Sequence, residues 1–249
     1  MMHRANIETH GSVCGDEGLS HEEARDCRLA DWRWDPMSRF LFSSVVGFLT
    51  MLLLGTSALA NEYAYGYIAS GGPYGGGYVQ IVIRDMTAAD WATNGHINNT
   101  IWVTTDSVDY LWAEVGYTRG FHGVNAFTYY WARNNSSGYS DGKLDQIGTV
   151  GTAHEFEVQQ VFNGEYDMYI DNVKVADDTG AYPWTVEVDT GLEYTSPSSS
   201  LSATVNHDWQ QVRTTTCCSW NLWTTGSRVN TYTHTYTWTT NWYHGNVAN

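Results

Sequence analysis

The chain has 249 residues and a formal net charge of −15, because 27 acidic side chains outnumber 12 basic ones. This acidic balance argues against nucleic-acid binding, which depends on clustered Lys and Arg. Aromatic residues make up 14% of the chain and charged residues only 16%, a composition typical of a folded domain with a sizeable core and not of a disordered chain.

The first sixty residues are predicted to be a targeting region. Residues 37–60 contain a single Arg, an apolar run from Phe40 to Leu54 and a closing Ala-Leu-Ala, which is the layout of a cleavable secretory signal peptide. The apolar run is shorter than the ~20 residues that a transmembrane helix needs. We therefore predict a secreted, extracellular protein that begins at Asn61 and has no stable membrane anchor after cleavage.

Residues 1–36 form a polar extension in front of this signal. Because a signal peptide normally stands at the N-terminus, we interpret the extension as the product of a mis-assigned start, with a long lead-in segment as the alternative. Two of the four Cys lie in it, and the other two are the adjacent Cys217 and Cys218. Free thiols, a strained vicinal disulfide and an intermolecular bridge all remain open for that adjacent pair.

The region 61–249 is predicted to be a single domain of short β-strands. It is rich in Thr, Tyr, Trp, Val, Asn and Gly, which favour strands and turns over helices. Strand-length runs recur along it, at 78–84, 100–105, 111–118, 127–132, 153–161, 184–188, 191–196, 201–205 and 209–214. Residues 166–176 predict a hairpin that turns at Asp171-Asn172, whereas 70–77 and 134–142 are predicted to be loops. The pattern predicts an all-β fold, a two-sheet antiparallel β-sandwich.

Aromatic residues are the most unusual feature of this region. Ten of the twelve Trp and all seventeen Tyr follow residue 60, more than a core readily buries. Residues 231–239 alternate Thr with larger side chains, which fits either a strand that buries this face or a platform of rings that stacks on sugars. We predict that ligand contacts come from seven aromatic residues: Trp220, Trp223, Tyr232, Tyr236, Trp238, Trp242 and Tyr243.

Signals for metals and nucleophiles are weak, whereas two strand acids stand out. The six His after residue 60 show neither H-x-x-x-H nor H-E-x-x-H spacing, so neither a metal nor another cofactor is predicted. The G-x-S-x-G spacing occurs once, at Gly138–Gly142, but it lies in a predicted loop with no helix after it and therefore does not predict a nucleophile elbow. Glu114 in LWAEVGYT and Glu193 in GLEYTS lie inside strand patterns, where a carboxyl is costly to bury unless it is paired or used. Either could also face water, as other strand acids such as Glu187 are expected to do.

The segment EVGYTRGFHGVNAFTYYW, residues Glu114–Trp131, resembles a segment of the fungal and bacterial glutamic peptidases, the eqolisin family. In that family the segment runs from a catalytic Gln through a Gly-containing turn to an aromatic strand. The hairpin at 166–176 and the strand GLEYTS are similar in position to the family's next strands and its catalytic Glu. The resemblance covers roughly residues 100–200 and implies a concanavalin-like jelly roll, shared with lectins and glucanases, with Glu193 as general base.

Glu114 stands where the family has Gln, and this difference changes the implied chemistry. A Gln amide donates a hydrogen bond to the developing oxyanion, whereas an ionised Glu has no proton to donate. Glu114 can replace the amide only if Glu193 lies close enough to raise one pKa, which would give a two-carboxyl pair active at acid pH. The same pair could serve a glycosidase, and a non-catalytic site is the third possibility.

The sequence therefore favours a secreted β-sandwich that binds a carbohydrate or another extracellular polymer without catalysis. The alternative is an acid-acting hydrolase, a glutamic-peptidase-like enzyme or a glycosidase, that uses Glu114 and Glu193. A surface or assembly protein without a small-molecule site is the remaining interpretation.

Overall fold

The computed structural model describes residues 61–69, 72–106, 111–144, 149–161, 164–178, 184–215, 219–230, 233–239 and 241–249. The predicted extension 1–36, the predicted signal peptide 37–60, the pair Cys217-Cys218 and Tyr232 lie outside these residues.

Within the described residues the chain forms a series of short strands. In chain order these are β1 Glu62–Ile68, β2 Tyr74–Val82, β3 Met86–Thr87, β4 Ile97–Asp106, β5 Leu111–Arg119, β6 Phe127–Asn135, β7 Gly138–Leu144, β8 Ala153–Gln160, β9 Tyr166–Ile170, β10 Val173–Asp178, β11 Glu187–Tyr194, β12 Ser200–Leu201, β13 Val205–Thr214, β14 Trp220–Leu222, β15 Ser227–Asn230, β16 Thr235–Trp238 and β17 His244–Ala248. Two short 3-10 turns, Trp91–Thr93 and Phe121–Gly123, accompany them. No helix in this part of the chain is long and apolar enough to cross a membrane.

Two large antiparallel sheets make up the fold. The first sheet has the order β15-β1-β11-β4-β5-β6-β7, and the second has the order β10-β9-β8-β2-β13-β17-β16 with β14 beside β13. Strands β3 and β12 form a small separate pair. The predicted all-β, two-sheet antiparallel sandwich is therefore confirmed.

The core lies between the two sheets because each strand turns alternate side chains inward. Ile101 and Val115 of the first sheet and Val79, Ile81 and Phe156 of the second are completely buried in it. Each side chain of this size stabilises the fold by roughly 1.5–3 kcal/mol when it is fully buried.

One histidine side chain lies inside this apolar core and contacts both sheets. His207 of β13 is fully buried, with its Nδ1 2.7 Å from the hydroxyl of Thr190 and its Nε2 3.2 Å from the side-chain oxygen of Asn99. Burial lowers the pKa of His207 to about 3, so the ring stays neutral at ordinary pH. The contacts tie β13 of the second sheet to β11 and β4 of the first.

Several local predictions were wrong in ways that the packing explains. The predicted loop 70–77 contains the start of β2, where Gly77 lets the side chains of Val188 and Ile101 approach so closely that a Cβ would lie 2.4 Å from the former. The predicted loop 134–142 is largely the hairpin of β6 and β7. The two predicted strands at 184–188 and 191–196 are one strand, β11, because its polar centre pairs with β1 and β4 throughout.

Candidate active site

Alternation along the strands of the first sheet places both predicted carboxyls on its outer face. In β5, Val115 points into the core, so Glu114 points the other way. In β11, Leu192 points into the core and Glu193 points outward in the same manner. Strand β4 lies between β5 and β11 and separates the two acids.

Small residues form the floor between these two acids. One register row across the outer face runs from Gly191 to Thr100 and Gly116. A Cβ on Gly116 would lie 2.2 Å from the backbone oxygen of Asn99, so the close approach of β4 and β5 requires glycine there. This row of small residues lies between the row that contains Glu114 and the row that contains Glu193.

An open groove of about 470 Å³, a size usual for ligand sites, lies on this face and has both acids in its lining. Aromatic rings form much of its wall, with Tyr65 and Trp102 in edge contact at a centroid distance of 5.0 Å. The residues that line the groove are Asn61, Tyr63, Tyr65, Trp102, Thr104, Trp112, Glu114, Glu187 and Glu193. The structure thus brings the two carboxyls predicted from the sequence into one site.

Glu114 lies in the more apolar part of the groove and is only 8% exposed. Burial raises the pKa of its carboxyl well above the ordinary value, and the negative charges of Glu193 and, to a lesser extent, Asp141 raise it further. The buried hydroxyl of Tyr130 lies close enough to offset part of this pKa shift, although its geometry is not that of a hydrogen bond. Glu114 therefore keeps its proton at pH values where an ordinary glutamic acid is ionised.

Glu193 has a polar environment instead. Its carboxylate accepts hydrogen bonds from the side-chain amides of Asn61 and Asn98, the latter at 3.1 Å, and from the Tyr63 hydroxyl at 3.3 Å. The Nε2 atom of His96 lies 3.9 Å from the same group. Burial and the charge of Glu193 raise the pKa of Tyr63, which keeps this phenol protonated as a donor. These donors are the partners that an acceptor-only carboxylate requires.

Two further acids of β11 share the outer face. Asp189 is fully buried, and burial followed by the charge of Glu187 raises the pKa of its carboxyl well above the usual range. Burial also raises the pKa of Glu187, which lines the groove. Glu187 is predicted from the sequence to face water, and Asp189 is not among the residues predicted for the site. The signal was present, since 187, 189, 191 and 193 alternate along one strand, but it was obscured by the predicted break in β11.

The aromatic residues predicted as ligand contacts do not form one exposed platform. Trp223 and Tyr236 are buried, so the prediction that they contact a ligand is wrong for the conformation described. Tyr236 packs against β1, where a Cβ on Gly66 would lie 2.5 Å from its ring, and its hydroxyl accepts a hydrogen bond from Gln210. The remaining described candidates are accessible to different degrees and lie outside the groove lining: Trp220, Trp238 and Tyr243 are partly buried, and Trp242 is 42% exposed.

Among the residues that the structure describes, no group of three or more His, Cys, Asp or Glu side chains is arranged to hold a metal ion. The carboxyls of the groove are instead engaged with amide, phenol and carboxyl neighbours.

Comparison with solved structures identifies the architecture. Two structures of scytalido-glutamic peptidase with transition-state analogues match with TM-scores of 0.57 and 0.58 at 7% and 8% identity, and each match covers 76% of this chain and 98% of the peptidase. SCP-B, a member of the eqolisin family of peptidases in complex with the tripeptide Ala-Ile-His, matches with a TM-score of 0.54 at 7% identity over the same shares. A β-glucanase from Bacillus licheniformis gives a TM-score of 0.35 at 13% identity, over 49% of this chain and 54% of that one.

These matches confirm that the chain has a concanavalin-like β-sandwich fold similar to that of the glutamic peptidases. At such low sequence identity these matches show the fold alone. No protein-family model and no curated protein sequence matches the chain.

Proposed function

We propose that the protein is an acid-acting hydrolase in which Glu193 is the general base and a protonated Glu114 is the hydrogen-bond donor to the oxyanion. The observation that supports this function best is the unequal environment of two carboxyls in one groove. Glu114 is buried with a raised pKa, whereas Glu193 is surrounded by hydrogen-bond donors. Two titratable groups whose environments differ in this way are the arrangement that acid–base catalysis uses.

A peptide bond is the substrate that we propose first, because the fold is similar to that of proteins described as glutamic peptidases. In the first step the Glu193 carboxylate takes a proton from water while the water oxygen attacks the carbonyl carbon. The carboxylic acid of Glu114 keeps its proton and donates a hydrogen bond to the carbonyl oxygen, which becomes the oxyanion of the tetrahedral intermediate. In this step a protonated Glu114 supplies the donor that an amide would otherwise provide.

The second step returns Glu193 to its starting state. Glu193 gives its proton to the nitrogen of the leaving amine as the C–N bond breaks and the oxyanion re-forms the carbonyl, while Glu114 keeps its proton throughout. The products are one carboxylic acid and one amine, and no cofactor takes part. Because a donor proton on Glu114 is essential, activity falls as the pH rises through the pKa of that group.

We place this activity outside the cell, on the basis of the signal peptide predicted at 37–60. N-terminal sequencing of the protein recovered from the culture medium tests this localisation. A mature chain that starts at Asn61 is expected, and an intact N-terminus on a protein retained in the cell would contradict it.

Binding of an extracellular carbohydrate polymer is the second candidate function. It is supported by aromatic rings that stay accessible away from the groove, in particular Trp242 and Tyr243. Carbohydrate binding by these rings does not depend on the carboxyl pair. Each of the two proposed functions can therefore be tested, and refuted, without the other.

A hydrolysis screen with matched variants tests the first proposal. The wild type, Glu193→Gln and the control Glu155→Gln, a strand acid of the second sheet, are incubated at pH 3–6 with denatured protein and with soluble polysaccharides. We expect the wild type and Glu155→Gln to cleave protein and Glu193→Gln to lose at least a hundredfold in rate. Cleavage of polysaccharide alone would show that the enzyme is a glycosidase and not a peptidase. If none of the three proteins cleaves any substrate, the proposal of a hydrolase is refuted.

A further inference from the structure

Trp209 occupies an unusual backbone position in β13. Between Asp208 and Gln211 this strand advances three residues while its partner β2 advances only from Gln80 to Tyr78, so one extra residue bulges out. The φ angle of Trp209 is 55°, in the left-handed region. Such a bulge position usually carries glycine, and a bulky side chain there strains the backbone.

The bulge turns the indole of Trp209 outward, where it is 47% exposed. The ring lies nearly parallel to that of Tyr243, at an interplanar angle of 17° and a centroid distance of 5.8 Å. Both rings rest against the imidazole of His244, which the carboxylate of Asp208 fixes at 2.7 Å. An exposed aromatic side chain is thus kept in one orientation by neighbours on two strands.

This aromatic pair lies on the outer face of the second sheet, away from the carboxyl groove. His207 points into the core, so the next residue, Asp208, points outward together with the His244 side chain that it contacts. The groove belongs to the outer face of the first sheet. A ligand on the aromatic pair therefore leaves the groove free.

The surroundings of the pair match the chemistry of a sugar. Asn241 donates a hydrogen bond from its side chain to the Tyr243 hydroxyl at 3.0 Å, and Trp242 adds a third accessible ring. Amides, a phenol and a carboxylate can pair with hydroxyl groups, while flat rings accept the C–H face of a pyranose. Residues 61–249 carry 19 acidic and 7 basic side chains, and this net charge of −12 disfavours polymers that carry phosphate, sulfate or uronate groups.

We infer that the surface formed by Trp209, Tyr243 and Trp242 binds an uncharged polysaccharide chain. The inference rests on the second candidate function and assigns it to a defined site. The strain at Trp209 is the observation that separates this site from ordinary aromatic packing, because strained backbone persists where function requires the residue.

The test compares Trp209→Gly with the wild type, both carrying Glu193→Gln so that cleavage cannot remove the probe. Pull-down on insoluble cellulose, xylan, mannan and chitin and affinity electrophoresis in soluble glucans measure binding, with pectate and heparin as charged comparators. Trp91→Ala, which removes another exposed indole at 39% exposure, is the matched control. We expect the parent and Trp91→Ala to bind at least one uncharged polymer and Trp209→Gly to lose at least tenfold in affinity.

Thermal unfolding of the same proteins separates binding from packing. Glycine adopts a positive φ without strain, and this relief opposes the loss of the ring contacts with Tyr243 and His244, so Trp209→Gly should melt within a few degrees of its parent. Equal binding by Trp209→Gly would overturn this site while leaving carbohydrate binding intact. No binding by the parent would overturn both, and a large decrease in the melting temperature of Trp209→Gly would show that the ring serves packing, which also overturns the inference.

Discussion

Replacing Glu114 by Gln is the most informative perturbation of the proposed site. It installs a neutral amide where the buried carboxyl keeps its proton, so it retains a hydrogen-bond donor and removes the titration. If the donor is what the reaction needs, Glu114→Gln hydrolyses substrate at acid pH at a rate within about tenfold of the wild type. Above the pKa of Glu114, the variant should be the faster enzyme.

The size of that difference follows from the ionisation of a single group. Two pH units above the pKa of Glu114, about 1% of the wild-type molecules keep the proton, and loss of such a donor lowers kcat by roughly 10²–10³. The amide does not titrate, so the alkaline fall in kcat/KM that Glu114 causes should be absent from the variant.

The stability of the wild type should fall as the pH rises, as its activity does. The pKa of Glu114 is higher in the folded state than in the unfolded state, so the wild type loses stability as the pH rises from the unfolded pKa to the folded one. Each unit between the two pKa values corresponds to about 1.4 kcal/mol. Glu114→Gln should therefore gain free energy of unfolding relative to the wild type at pH 8 but not at pH 4.

Measurement of kcat/KM on a soluble peptide from pH 3 to 9, with urea unfolding at pH 4 and 8, checks both expectations. Glu155→Gln is the control, since it removes a strand carboxyl outside the groove lining. A folded Glu114→Gln that is inactive at every pH, or that keeps the wild-type alkaline limb, would refute the role given to Glu114.

Three further substitutions test the fold around the site. Asp189→Asn removes a buried carboxyl with a raised pKa, so thermal melting should show stabilisation at pH 8 and little change at pH 4; equal shifts at both would contradict this. His207→Gln removes a ring whose pKa of about 3 in the folded state lies below its unfolded value. The free energy of unfolding of the wild type therefore falls by up to about 5 kcal/mol as the pH falls from 6.5 to 3. The free energy of unfolding of the variant should fall less over the same pH range. Gly66→Ala puts a Cβ 2.5 Å from the ring of Tyr236, and urea unfolding should show a loss of about 1–3 kcal/mol, whereas a neutral result would mean that β16 packs differently.

Alternation in the sequence predicted the sandwich and most strand positions, because side chains on opposite faces of a half-buried strand differ in polarity. The alternation did not predict the strands correctly where polar residues occupy the buried side or the centre of a strand. Gly75–Gly77 read as a loop because glycine lacks the side chain that carries the pattern, although close packing needs it there. Asp189 and Thr190 read as a break in β11 for the same kind of reason.

The candidate site was only partly predictable. Glu114 and Glu193 were singled out as strand acids and through a family resemblance, but their shared face depends on the register of β4 between them. Burial of Trp223 and Tyr236 depends on how β16 folds back onto β1, which the alternating pattern alone does not determine.

The protonation state of Glu114 is the central claim, and carbon-13 NMR of protein labelled at the glutamate carboxyls measures it directly. Spectra of the wild type and of Glu114→Gln are compared from pH 4 to 8. We expect one carboxyl resonance of the wild type to titrate at a higher pH than an ordinary glutamic acid and to be missing from Glu114→Gln. If the resonance assigned through that variant titrates as an ordinary glutamic acid does, Glu114 is an ordinary carboxylate and the proposed pair of carboxyls is wrong.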